Sequence, residues 1–158
     1  MKVEIYSDVA CPWCYIGKAR FERALSAFPG AADVEVVYRP YQLDPTAPQQ
    51  GVPMLEYLER RFGGNARSMA DRVSENARSE GLVMDYDRGI AANTLHAHRL
   101  MDLALRDHGP ETQRAMADAF FRAHFSEGLD IADPEVLVRV AESAGIDDAQ
   151  AREYVASG

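Results

Sequence analysis

Cysteine is scarce in this chain: 158 residues hold only Cys11 and Cys14. Basic clusters are missing as well. The formal net charge is −8, with no run of Lys and Arg, which argues against a nucleic-acid partner. No apolar stretch approaches the length of a membrane span. The first eight residues, Met1 to Asp8, contain no apolar core of the kind a signal peptide needs. Repeats and low-complexity tracts are absent too. These absences predict a soluble protein of one ordinary domain, or of one small domain with an insertion, located in the cytoplasm. In that compartment two cysteines in C-x-x-C spacing point to redox or metal chemistry rather than to a structural disulfide.

The residues that are present sort into two parts. Residues 2–6 alternate and read as a strand. Residues 12–28 place Ile16, Ala19, Phe21, Ala24, Leu25 and Phe28 at helical spacing, with Pro12 in the first turn and Pro29-Gly30 as the stop. Residues 33–38 read as a second strand. Strand, helix and strand within this length predict a βαβ unit with parallel strands. The segment from Pro40 to Pro53 carries four prolines and Gly51, and reads as a loop. Everything beyond it has helical pattern, with segments stopped at Gly63-Gly64, Gly81, Gly109, Gly128 and Gly145. Asn65, Asn93, Asp133 and Asp147 stand where N-caps are needed. The expected division is residues 1–48 for the βαβ part and 49–158 for a helical insertion.

The chemistry centres on Cys11-Pro12-Trp13-Cys14, between the first strand and the first helix. A thiolate is the reactive form, and a helix N-terminus stabilises it through free N–H groups and partial positive charge. Cys11 at that terminus is the expected attacker on a substrate disulfide, and Cys14 the thiol that resolves the mixed disulfide. Two bland or different readings compete. Free cysteines are often merely buried. Alternatively, the pair supplies half of a zinc site, which needs two further ligands from His96, His98, His108 and His124, with no second C-x-x-C available. A cysteine protease would have no need of Cys14.

The stretch Ser7-Asp8-Val9-x-Cys11-Pro12-Trp13-Cys14-Tyr15-Ile16-Gly17 resembles the active-site signature of the cytosolic DsbA-like oxidoreductases of the FrnE type. The resemblance continues in Asn93-Thr94-x-x-Ala97-His98-Arg99-Leu100. It returns in Phe121-x-x-x-Phe125-x-x-Gly128-x-Asp130-Ile131-x-Asp133-Pro134-Glu135-x-Leu137. It implies an α/β, thioredoxin-like fold with a large helical insertion after the second strand. It also implies thiol–disulfide oxidoreductase or isomerase activity, with Cys11 as nucleophile and Cys14 as resolving thiol. No bound cofactor or metal is implied; protein or small-molecule thiols and disulfides are the implied partners, with glutathione a candidate co-substrate. The same superfamily holds glutathione-dependent kappa-class transferases and 2-hydroxychromene-2-carboxylate isomerases. Those carry a serine where Cys11 stands, and they supply the alternative function.

Two features depart from the family pattern. Thioredoxin-like folds close with two strands and a helix, the first strand opening on a cis-proline beside the C-x-x-C. No such pattern follows the helical part here, and Val52-Pro53 lies ahead of it, before a helix pattern. The closing ββα is therefore expected to be absent from this chain. Strand 2–6 would then have a free edge, to be covered by a missing C-terminal segment or by a second copy. The other departure is Ile5, at the position where many relatives carry a buried carboxylate. Glu4 and Asp8 flank it; Glu4 reads as an exposed strand charge, and Asp8 equally as a turn residue or a base for the resolving thiol. Pro12, Trp13, Asp8, Asn93 and His98 complete the expected site environment. Trp13 is expected at the surface, while Tyr15, Phe120, Phe121 and Phe125 read as core. Asn93, His98 and Arg99 also have ordinary readings, as a cap, a hydrogen-bonded helix histidine and a surface charge.

Overall fold

A computed structural model describes all residues from Met1 to Gly158. Strand β1 (Lys2–Ser7) leads through helix α1 (Pro12–Ser26) to strand β2 (Glu35–Pro40). The strands pair in parallel, with Val3 opposite Val36 and Ile5 opposite Tyr38. The expected βαβ unit is therefore present. The alternation along β1 has a simple cause: Val3 and Ile5 turn towards the core, while Lys2, Glu4 and Tyr6 face out. Glu4 lies beside Arg39 across the strand pair, as an exposed strand charge should. β1 has no second strand on its other edge.

After β2 the chain runs as a loop until Val52-Pro53. Those two residues form a short strand, β3, antiparallel to β4 (Ile90–Ala91). This ladder revises the reading of the segment as loop throughout. The Val52–Pro53 bond is trans, since no peptide bond in the chain is cis. The helices follow: α2 (Met54–Phe62), α3 (Ala66–Ser79), α4 (Leu95–Leu103), α5 (Pro110–Phe121), α6 (Pro134–Ser143) and α7 (Asp148–Ala156). Helix α4 continues as a π-helical turn, Ala104–His108, and α5 as another, Arg122–Ser126. Gly109, at φ 94°, breaks the first of these runs, a conformation that disfavours a side chain.

Most of the capping expectations hold. Asp133 accepts from the N–H groups of Glu135 and Val136, and Asp147 from those of Ala149 and Gln150. Asn65 does not cap α3 with its side chain, because its own backbone is already helical. The main buried cluster joins Val34, Val36 and Tyr38 to Leu100, Met116, Phe120, Ile131 and Leu137, so the strands and the later helices share one core. A smaller cluster links Ile16 of α1 to Val73 and Ala77 of α3. No helix is long and apolar enough to cross a membrane.

One polar residue in this core was not foreseen. Gln113 of α5 is 1% exposed. Its Oε1 accepts from the N–H of Tyr38 at 2.8 Å, and its Nε2 donates to the Tyr38 carbonyl at 2.9 Å. A side-chain amide thus takes the place of a neighbouring strand along the outer edge of β2.

Candidate active site

Cys11 stands at the N-cap of α1 in extended conformation, followed by Pro12 at the first helical position. Proline fits there because the first-turn N–H groups lack helical partners in any case. The next turn closes on the Cys11 carbonyl, which accepts from the N–H groups of Cys14 and Tyr15 at 3.1 and 3.3 Å. No carboxylate sits in the first turn to oppose a thiolate. Both cysteines are free thiols, half-buried.

Their surroundings differ. Cys11 lines a cavity of about 420 Å³ between the start of α1, the loop after β2, and helices α2 and α3. Pro12 and Trp13 line it too, and Trp13 is 48% exposed at its rim. Cys14 lies behind, against the cluster of Tyr15, Phe121 and Phe125. The Tyr15 ring stacks on Phe121 with centroids 5.1 Å apart, which fixes the first turn of α1 on α5. The core reading of these aromatic residues holds, as does that of Phe120.

The two thiols act on one another and titrate as a pair. Cys14 is lowered to about 6, chiefly by the Cys11 thiol beside it, with help from the backbone at Asp8 and from Ser7. Cys11 is pushed up, first by the Cys14 thiol and then by burial. The backbone N–H groups of Cys14 and Trp13 pull Cys11 the other way, as a helix N-terminus should. The pair therefore loses its first proton well below the roughly 8.5 of a free thiol. The thiolate then lies on Cys14 and the remaining proton on Cys11, so attack by Cys11 requires that proton to pass to Cys14.

Asp8 is fully buried and sits beside this pair. Burial alone would push its carboxyl up; hydrogen bonds from His98 and from the Leu43 N–H outweigh that and hold it below the ordinary carboxylate value. His98 Nε2 lies 3.0 Å from Asp8 Oδ1. A carboxylate can only accept, so that nitrogen carries the proton. Leu43 N donates to Asp8 Oδ2 at 2.9 Å, tying the loop after β2 to the site. Asn93 ties down the same loop, through Nδ2 to the carbonyls of Pro45 and Ala47 at 3.0 and 3.2 Å. Its Oδ1 also accepts from Leu95 N at 2.9 Å, the capping contact expected of it. Asp8 and His98 are thus brought together, whereas Asn93 stands apart and anchors the loop that Leu43 ties to Asp8. Arg99 is not: it turns to α7, stacking on Tyr154 and donating to Ser157.

Sequence reasoning assigned no site role to His124 beyond a zinc candidacy. Its ring lines the cavity at 1% exposure, and its Nδ1 has no protein partner. No three of the protein's His, Cys, Asp and Glu side chains converge as a metal site would require.

Comparison with known proteins follows the same lines. The family model of the DSBA-like thioredoxin domain matches residues 2–158. The crystal structure of a probable DsbA oxidoreductase, SCO1869 from Streptomyces coelicolor, superposes with a TM-score of 0.88 at 39% identity. The match covers 99% of this chain and 68% of that one. The uncharacterized protein YwbO of Bacillus subtilis is 26% identical over 152 residues, which is 93% of this chain and 68% of that protein.

Proposed function

The chain belongs to the DSBA-like thioredoxin domain family, and from that premise we propose that it is a thiol–disulfide oxidoreductase or isomerase of the FrnE type, acting through Cys11 and Cys14. One observation carries the reading. Cys11 faces the cavity, whereas Cys14 sits behind it against Tyr15, Phe121 and Phe125. Cys11 attacks one sulfur of a substrate disulfide, forming a mixed disulfide and expelling a thiolate. As Cys11 attacks, its proton passes to the Cys14 thiolate. Asp8, held ionised by His98, then accepts that proton, and Cys14 attacks the mixed disulfide to release the second thiol. The substrates are protein or small-molecule thiols and disulfides, no bound cofactor takes part, and the site of action is the cytoplasm.

The test is reduction of an insulin-type disulfide under turnover with a dithiol reductant. The wild type is expected to accelerate it and Cys11→Ser to lose all acceleration. If Cys11→Ser instead retains turnover of a small electrophile with glutathione, the chain works as the kappa-class or 2-hydroxychromene-2-carboxylate isomerase relatives do.

A further inference from the structure

The cavity beside Cys11 has walls that suit one kind of occupant. Sixteen of its 22 lining residues are hydrophobic, and its volume of about 420 Å³ falls in the range of roughly 300–1,000 Å³ usual for small-molecule sites. Its polar groups are few and mostly engaged with one another. Asp44 is held by Arg61 at 2.7 Å and by the Tyr57 hydroxyl. Asp8 is held by His98 and the Leu43 N–H. A peptide laid through such a space would leave its amides without partners, at a cost of about 1–3 kcal/mol each. A compact molecule with an apolar body would not.

His124 is the exception among the polar groups. It is carried by the π-helical turn after α5, which also sets Phe125 edge-on against it at 4.5 Å. Turns of this kind recur at functional sites. Its Nδ1 is buried with no protein partner, and such groups call for an explanation. A neutral imidazole can carry its proton on either nitrogen; with it on Nδ1 the ring presents a buried N–H that no protein group accepts, the kind of donor that an acceptor on a ligand would satisfy. Burial pushes His124 down to about 4, which keeps the ring neutral near pH 7. A neutral N–H donor beside the Asp8 carboxylate favours a neutral acceptor, such as a carbonyl oxygen, over an anion.

We propose that this cavity binds a small, largely apolar disulfide bearing one neutral hydrogen-bond acceptor, with the acceptor on His124 and the S–S bond at Cys11. This names the substrate class of the exchange proposed above and rests on that reading for the chemistry. The balance is complete without a further reagent. Cys11 attacks R–S–S–R and the S–S bond breaks; Cys14 then displaces the second RS group from Cys11. The substrate gains two electrons and leaves as two RS groups, which take up the pair's one remaining proton by way of Asp8 and one proton from solvent, while the protein ends as the Cys11–Cys14 disulfide.

Recognition is tested apart from the chemistry with 1-tetralone and tetralin, two bicyclic probes of similar shape, of which only the first has a carbonyl. Each is titrated into the reduced protein and followed by NMR at the indole N–H of Trp13, the only tryptophan. The expected result is saturable binding of 1-tetralone, at least tenfold tighter than of tetralin, and loss of that preference in His124→Phe. Equal affinity of the wild type for both probes, or no saturable shift with either, overturns the proposal. The wild-type comparison decides even if the variant fails to fold. A protein that cycles its thiols but binds neither probe keeps the exchange and loses the site. One that prefers the ketone but never forms the disulfide keeps the recognition site and loses the exchange.

Discussion

Cys11 and Cys14 are one acid before they are two. Cys11 lowers Cys14 and Cys14 raises Cys11, and the first proton leaves the pair at about 6. The sign of the effect follows directly. Below that pH both thiols are protonated and slow to react; above it one thiolate is present, on Cys14, stabilised chiefly by the Cys11 thiol. Alkylation of the reduced protein by iodoacetamide is therefore expected to rise with a midpoint near 6, read by mass spectrometry across a pH series. In Cys11→Ala the thiol that lowers Cys14 is gone, and the midpoint at Cys14 is expected to move up from about 6 towards the ordinary thiol value of roughly 8.5. A wild-type midpoint at that ordinary value would mean that the two thiols do not act on one another.

Among the elements, the contact between α5 and β2 matters most to the standing of the site. The outer edge of β2 would leave the N–H and carbonyl of Tyr38 buried and unpaired, and the Gln113 amide satisfies both. Gln113→Leu removes that amide at nearly constant volume. It is expected to destabilise the fold by about 3 kcal/mol, the cost of orphaning two buried backbone groups, as a shift of the urea midpoint. A loss under about 0.5 kcal/mol would show that the edge is not held this way. Gln113 also marks the limit of what was legible in the sequence. The βαβ unit could be read because Val3 and Ile5 alternate and Pro12 opens a helix directly after Cys11. Most helices could be bounded because glycines and Asp133 or Asp147 stand at their ends. A lone glutamine on a helix reads as surface, so its burial was invisible. The β3–β4 ladder is two residues long, too short for any period to show. His124 did leave a trace: it falls on the apolar helix face of Phe120, Phe121 and Phe125. Only the cavity gives that placement a meaning.

At the scale of the whole molecule, the β1–β2 pair and the helices share one core, and the cysteines lie where the loop after β2, α1 and the helical part meet. That arrangement joins a reactive helix terminus to a sheltered apolar chamber. It also fixes the redox behaviour. A thiolate stabilised in the reduced protein favours the dithiol over the disulfide, so the couple shifts in the oxidising direction relative to an unperturbed pair. The direct test of the account is equilibration of the protein with glutathione redox buffers at pH 7, with the Cys11–Cys14 disulfide quantified by mass. The account predicts a single two-electron couple between about −270 and −120 mV, the span from thioredoxin to DsbA, and its loss in Cys11→Ser. Two thiols that take up glutathione independently, with no disulfide between them at any poise, would contradict it.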